Sequence, residues 1–425
     1  MTSPTFSIDR DHARQLDAAD SLAEYRQQFW MPSGSDGEPL VYLCGNSLGL
    51  QPRGVRELID RELASWAEQA VDGHFRSGDG WYNYHRLLSE PLAEVVGALP
   101  EEVVAMNGLT ANLHLLMISF YRPTAQRFKI LIDSPTFPSD LYAFQSQLAL
   151  HGYDAEQGIV RAPQTANGLT DEAALIELIT TQGEQFALIL LSGVNYFSGQ
   201  FFDLAPIAAA ARRAGCLIGL DLAHAVGNVP LSLHDWGIDF AAWCSYKYLN
   251  AGPGAVAGAF VHQRHCANPS LPRLAGWWGN DPDTRFQMDT QDRFVPQRGA
   301  EGWQLSNPPI LAMAPLRASL ALFGSATNTA LRNKSSALTS YMLALIDARS
   351  PQQVTVLTPR QPERRGCQLS LRVAGDGRAF QQALQREGVV GDFRPPDVVR
   401  VAAVPLYNSF EDVWRFVDIL ARQLS

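Results

Sequence analysis

Apolar and polar positions alternate in blocks through the middle of the chain. Short apolar runs at 102–106, 128–133, 186–192, 216–221, 240–246 and 257–262 predict strands. Between them, 111–121 and 204–214 have helical spacing, the second stopped by Gly215, and Phe137-Pro138-Ser139-Asp140 opens another helix. This β/α alternation predicts a mainly parallel sheet with helices on both faces, and ligands in such sheets sit at the carboxyl ends of the strands. Upstream, 22–30 is amphipathic through Leu22, Tyr25 and Phe29, and 55–69 carries Leu58, Leu63 and Trp66 near one face. Between these, 42–50 is a short strand that breaks into a turn at Gly45 and Gly49. Those glycines serve either turn geometry or a backbone that approaches a ligand closely. The segment 73–84 is an aromatic-rich loop. After 307–309 the pattern changes to helices at 310–323 and 327–348, then strands at 368–373 and 398–404 around a helix at 377–387. The expected organisation is an N-terminal arm (1–60) contributing to the small domain, a large α/β domain (61–325) and a smaller α+β domain (326–425).

One stretch concentrates the chemistry. Residues 240–254 run from an apolar strand through Ser245-Tyr246-Lys247 into Gly252-Pro253-Gly254. A lysine at the end of a buried strand either snorkels out of the sheet edge or is a Schiff-base lysine whose amine is desolvated and used.

Composition narrows the partners. The formal charge is −9, which argues against nucleic acid, and no basic run suits an anionic membrane. The apolar runs are too short to span a bilayer and the N-terminus has no export-type apolar core, so a cytoplasmic protein is expected. Five scattered cysteines with no Cys-x-x-Cys suggest neither a disulfide frame nor a zinc site. His262, His265 and Cys266 cluster, but their spacing fits no common metal signature; the expectation is a solvated loop and no metal.

The strand ends carry complementary groups. Thr110 is expected to cap a helix and form an anion site, Phe137 and Asp140 stand at another helix start, and Ser192 ends a strand. Asp221 ends the next with His224 three residues on, and Tyr246 and Lys247 end the following one, 26 residues after Asp221. An anion cup, a ring to stack on, an acid and an amine suit pyridoxal phosphate. Asp133 is a rival for the pyridinium partner, although the Ser-Pro that follows favours a capping role. No P-loop, nucleophile elbow or His-Glu-x-x-His occurs.

With these residues in view, the chain resembles the kynureninase family. The resemblance rests on Asp221-Leu-Ala-His224-Ala-Val-Gly-Asn, His234-Asp-Trp-Gly and Cys244-Ser-Tyr-Lys247-Tyr-Leu-Asn-Ala-Gly. It extends to Asn107-Gly-Leu-Thr110, Phe137-Pro-Ser-Asp140, Gly276-Trp-Trp-Gly, Ser306-Asn-Pro-Pro-Ile and Arg400-Val-Ala-Ala-Val-Pro-Leu-Tyr407, nearly the whole chain. Asn280, where the family often has His, and the proline in Gly252-Pro253-Gly254 depart from its pattern. The resemblance implies an aspartate aminotransferase-like fold with a seven-stranded-type sheet, and a homodimer with shared active sites. It implies hydrolysis of L-kynurenine or 3-hydroxy-L-kynurenine to L-alanine and anthranilate or 3-hydroxyanthranilate, in tryptophan catabolism or pyridine nucleotide synthesis. It makes Lys247 the cofactor lysine and Asp221 the pyridinium partner. Phe137 stacks on the ring; Leu109, Thr110, Pro138, Ser139, Asp140, Ser192, His224 and Tyr246 complete the cofactor site. Trp277 and Asn307 reach in from the neighbouring subunit, Arg400 grips the substrate carboxylate, and Ser47 and His74 also contact substrate.

The chemistry expected of these groups is proton removal by Lys247 and acid–base help from Tyr246, whose other reading is a plain bond to the phosphate. His74 and Asn307 could bond a ring hydroxyl, which predicts a preference for 3-hydroxykynurenine. Two alternatives stay open. A cysteine desulfurase needs a mobile late cysteine, for which Cys367 is the sole candidate and reads as structural. A cofactor-binding protein without turnover is opposed by the intact Asp221, Tyr246, Lys247 and Arg400 set.

Overall fold

The computed structural model describes residues 6–268, 270–290, 293–350 and 352–424. In chain order the strands are β1 Val41–Tyr42, β2 Val103–Ala105, β3 Lys129–Ile132, β4 Ile159–Arg161, β5 Phe186–Ser192, β6 Ile218–Asp221, β7 Phe240–Trp243, β8 Gly258–Val261, β9 Val354–Val356, β10 Gln368–Val373, β11 Val389–Val390, β12 Asp392–Arg394 and β13 Val398–Ala402. Seven of them form the central sheet in the order β2-β8-β7-β6-β5-β3-β4. Only β8 runs against its neighbours; the other pairings are parallel. β5 is buried along its whole length. Phe186, Ile189 and Leu191 pack into the core on one face, and Leu188 and Leu190 into the core on the other. A continuous apolar run is what a strand covered on both faces requires.

The second sheet is antiparallel, in the order β12-β13-β10-β9. Helices Gly377–Arg386 and Phe410–Leu424 pack on its core, which also takes in Val41 and Leu43 from the N-terminal segment. β1 pairs in parallel with β11, and Leu43 accepts from the Ala402 N–H at 2.8 Å. The long helix Asn328–Arg349 joins the two halves: Leu331 lies in the core of the large sheet, and Leu338 to Ile346 in that of the small one. It follows helix Ile310–Ala326 after an 84° bend at Thr327, whose φ is 62°. Among the described residues no single helix is long and apolar enough to cross a membrane.

Several elements differ from expectation. The segment expected to be helical at 22–30 holds only a 3₁₀ turn, Ala23–Gln28, after a helix at Arg10–Ala18. Asp20 caps the Leu22 N–H and Phe29 bridges to Pro52, which pins both ends and leaves room for a short turn alone. The aromatic loop contains two 3₁₀ turns, Ala70–Phe75 and Trp81–Leu88; the second buries Trp81, Tyr84 and Leu88. Helix Val55–Gln69 turns its expected apolar face outward, with Leu63 43% and Trp66 62% exposed. Glu62 goes inward instead, accepting from the Trp81 indole N–H at 2.7 Å and from Arg76 at 3.1 Å.

Candidate active site

Register aligns the strand ends. Ser192 on β5 stands opposite Asp221 on β6, and Asp221 opposite Ala242 on β7. β7 ends at Trp243, so Tyr246 and Lys247 lie beyond the strand, on the turn that follows it, rather than at its end. The pairing runs out there: Ala242 is opposite the last residue of β6, Asp221, and Trp243 opposite the first of β8, Gly258. The carboxyl ends enclose a cavity of about 300 Å³ lined by Leu109, Thr110, Phe137, Ser139, Asp140, Ser192, Tyr196, Asp221, His224, Tyr246 and Lys247, among others. Lys247 Nζ lies 3.1 Å from His224 Nε2 and 5.8 Å from the centre of the Phe137 ring. Among the described residues Lys247 forms no ion pair with a carboxylate.

The Lys247 turn is clamped from behind. The Gly49 N–H donates to the Tyr246 carbonyl at 2.8 Å, and a Cβ on Gly49 would collide with the Lys247 carbonyl and Asn250. Gly45 likewise leaves no room for a Cβ against Tyr407 and Val404. The close approach made by these two glycines is to the protein itself, not to a ligand.

Burial governs the charges here. It pushes the Asp140 carboxyl well above its ordinary range, and the neighbouring charges of Asp221 and Asp133 add to the effect. Asp140 Oδ1 is buried with no partner. Burial also raises Asp133, to about 6, against hydrogen bonds from Asn195 and Ser192 that oppose it. Its carboxylate accepts from Ser192 Oγ at 2.8 Å and Asn195 Nδ2 at 2.9 Å. Asp133 is therefore neither the cap the sequence favoured nor a wall of the cavity; it anchors Ser192. His224 is held well below the usual histidine range by burial and then by the positive charges of Lys247, Arg400 and Arg394, so it is neutral beside the amine. Burial likewise raises the Tyr246 phenol, with Cys244 and Asp221 adding to it, so the phenol keeps its proton.

Thr110 is not the helix cap. The helix is Leu109–Phe120, and Gly108, with extended φ of −112°, occupies the cap position. Thr110 lies in the first turn, where N–H groups still lack intrahelical partners; its Oγ1 is 3.3 Å from Ser139 Oγ. Phe137 caps the second helix, Pro138–Leu150, and Pro138 opens it without lining the cavity.

Behind Tyr196, Arg400 is completely buried. Its Nη1 donates to the Tyr196 carbonyl at 2.6 Å and its Nη2 to Asp392. Ser47 Oγ donates to the same Asp392 oxygen at 2.7 Å. Neither Arg400 nor Ser47 lines the cavity itself, and Trp277, Asn307 and His74 do not line the cavity of their own chain. His74 bonds the Val71 carbonyl at 3.0 Å and packs edge-on to Trp81; Asn307 is exposed. Tyr196, Asn195 and Asp392 escaped the sequence reading. Tyr196 follows β5 closely enough to be found by extending the strand-end rule; no spacing connects Asp392 to the site.

The histidine cluster is not a solvated loop. His262 is buried at the end of β8, and His265 Nε2 lies 2.6 Å from Asp239. Glu102, His234 and His262 bring potential ligand atoms within 4.8 Å of one another. Internal bonds already use them: Glu102 accepts from the N–H groups of Leu99 and Gln263 and pairs with His234 at 2.9 Å.

Comparison with known proteins follows the same direction. Residues 331–420 match the family model described as the kynureninase C-terminal domain. A kynureninase from Xanthomonas axonopodis pv. citri is 55% identical over 422 residues, covering 98% of each chain. One from Xanthomonas euvesicatoria pv. vesicatoria is 55% identical over 97% of each. The chain belongs to the kynureninase family. Its fold also matches cysteine desulfurases from Escherichia coli (TM-score 0.77, 20% identity, 95% of this chain and 98% of the other) and Thermococcus onnurineus (0.74, 17%, 90% and 94%).

The site fits pyridoxal phosphate on its own terms. Two neighbouring buried carboxylates, Asp221 and Asp140, want a cation, which a protonated pyridine nitrogen supplies. The Thr110 and Ser139 hydroxyls and the first turn of Leu109–Phe120 offer donors for a phosphate. The Phe137 ring and the Lys247 amine complete the set.

Proposed function

We propose that this chain is a pyridoxal-phosphate-dependent kynureninase. It cleaves the Cβ–Cγ bond of L-kynurenine or 3-hydroxy-L-kynurenine with water, releasing L-alanine and anthranilate or 3-hydroxyanthranilate. The observation that carries the reading is the Lys247 amine, 3.1 Å from a neutral His224 in a cavity whose walls include Asp221 and Asp140. We assign the cofactor to Lys247, Asp221, Asp140, Phe137, Leu109, Thr110, Ser139, Ser192, His224 and Tyr246. Bound there, pyridoxal phosphate supplies an electrophilic carbon for an amine and an electron-withdrawing ring that acidifies the substrate's Cα. Lys247 takes and returns the Cα proton, with neutral His224 as the acceptor that orients its amine. Asp221 keeps a cationic nitrogen paired. Tyr246, held protonated, donates toward the carbonyl beside the breaking bond. Arg400, whose Nε alone lacks a partner, binds the substrate's carboxylate by a charge-assisted hydrogen bond.

The working unit in this reading is a homodimer, in which the partner subunit supplies the residues that Trp277, Asn307 and His74 represent. This accounts for the absence of all three from their own chain's cavity. His74 and Asn307 then favour the 3-hydroxy substrate. The large domain (61–325) holds the cofactor, and the small domain (326–425), with the arm (1–60), brings Arg400 and Ser47. Five free cysteines fit a reducing, cytoplasmic setting. A desulfurase reading fails on Cys367, fully buried with its thiol pushed up to about 12 by burial.

The test is to load the protein with pyridoxal phosphate, add L-kynurenine and 3-hydroxy-L-kynurenine separately, and assay alanine. The expected result is a yellow protein that releases alanine from both, more efficiently from the hydroxylated one. Lys247→Ala should remove the visible absorbance of the lysine-bound cofactor and at least about 10³ of the rate. A yellow wild type that releases no alanine overturns the function.

A further inference from the structure

Arg400 enters the protein with a bond missing. Its Nε is buried and has no partner, while Nη1 and Nη2 are engaged. An unpaired buried N–H on a charged group is costly unless a ligand completes it. A guanidinium this deep would also be destabilising without a counter-ion. That counter-ion is Asp392, and its position is set by the sheet. Asp392 on β12 and Arg400 on β13 are directly opposed in the antiparallel register, so their side chains leave the same face.

Asp392 gathers more than one arm of the site. One of its oxygens accepts from Arg400, from Arg394 Nη2 at 3.1 Å and from Ser47 Oγ at 2.7 Å. Arg394 lies 6.0 Å over the Tyr196 ring, and the Tyr196 carbonyl holds Arg400. Tyr196 is a wall of the cofactor cavity. Burial works against the charge on Asp392, but Arg400, Ser47 and Arg394 outweigh it and hold the carboxyl below its usual range. The cluster of two guanidiniums and one carboxylate is one positive charge in excess, which a monocarboxylate neutralises.

We propose that Asp392 is the positioning residue of the carboxylate site: it fixes Arg400, and with it Ser47, in a preset arrangement that one α-carboxylate completes. The inference rests on the role assigned to Arg400 above. It means that substrate recognition depends on a residue that need not touch substrate, and that the arrangement exists before substrate arrives.

The experiment uses the cofactor-loaded wild type, Asp392→Asn and Asp392→Glu. L-Alanine, the amino-acid product, is titrated by the change in visible absorbance, and kcat and KM are measured for L-kynurenine. Kynuramine, which lacks the carboxylate, serves as a competitive inhibitor. Both variants should raise KM and the L-alanine Kd by about tenfold or more, with kcat within about threefold and kynuramine inhibition unmoved. The glutamate variant keeps the charge and shifts it by one methylene, so it tests position alone. Unchanged L-alanine binding in either variant overturns the proposal, and so does an equal weakening of kynuramine, which would mark a general loss of the site. A wild type that binds L-alanine yet leaves L-kynurenine intact defeats the kynureninase reading, while the alanine titrations still decide the role of Asp392.

Discussion

Asp133 illustrates what a sequence hides about a single residue. Its place at the end of an apolar run marks it as a strand-end acid, as it marks Asp221. Only the fold separates them: Asp221 lines the cavity, whereas Asp133 lies behind it, holding Ser192 and Asn195. The separation has a measurable signature. Burial, with the charge of Asp221, raises the folded-state carboxyl from 3.8 to about 6. Well below pH 3.8 both folded and unfolded forms are protonated and nothing is lost. As pH rises toward 6 the unfolded carboxyl ionises first, so this group removes stability, about 3 kcal/mol once the rise is complete. Asp133→Asn abolishes that component. In urea unfolding of the cofactor-free protein at pH 4.5 and 7, the wild type should lose stability relative to the variant as pH rises. A difference between the two proteins that does not change with pH would refute it. Lys247 was legible because complementary groups stand at the other strand ends and its motif resembles a known family's; Asp392 was not, because cross-strand register pairs it with Arg400 and no local spacing carries that information.

At the scale of elements, periodicity located the strands and helices of the central sheet well and their ends less well. β5 and β10 match their expected bounds, while β7 stops earlier than its aromatic run. Apolar residues continue past the last ladder bond because the turn after β7 is itself buried, clamped by Gly49. The short strand expected from 42 is only the pair Val41–Tyr42, and β4, β9, β11 and β12 were not read at all, since pairs and triplets of residues have no period to read. The helix Leu109–Phe120 begins one residue before the threonine that the sequence made its cap. This changes what Thr110 is for. Its hydroxyl is not occupied with a cap bond, so it is free for a phosphate alongside Ser139. Thr110→Ala should leave helix and fold intact and raise the Kd for pyridoxal phosphate by about tenfold, the worth of one hydrogen bond to a charged group. Equilibrium dialysis measures this directly. A drop in thermal stability of the cofactor-free protein, with cofactor affinity preserved, would return Thr110 to a capping role.

At the scale of the whole molecule, one surface is left unaccounted for by a single chain. Phe75 is 63% exposed and Phe286 59%, and Phe286 packs with Phe75, Tyr82 and Trp277 in one aromatic group. Exposed aromatics on this scale mark an interaction surface. Trp277 belongs to that group, and it is one of the residues that the proposed dimer contributes to the partner's site. Shared sites have a consequence that no monomeric arrangement reproduces. A Lys247→Ala subunit cannot hold the cofactor productively but still carries a sound Asn307. An Asn307→Ala subunit has the converse defect. Each variant alone should be nearly inactive. When the two are mixed and allowed to exchange, about half of the dimers are mixed, and each of these contains one site with both residues intact. About a quarter of wild-type activity should then return, as counting over a two-fold dimer requires. Phe286→Glu in both partners should block the recovery by keeping the subunits apart, with a 46.7 kDa species seen by light scattering. If mixing restores nothing while exchange of subunits is demonstrated, Asn307 serves its own chain and the sites are not shared.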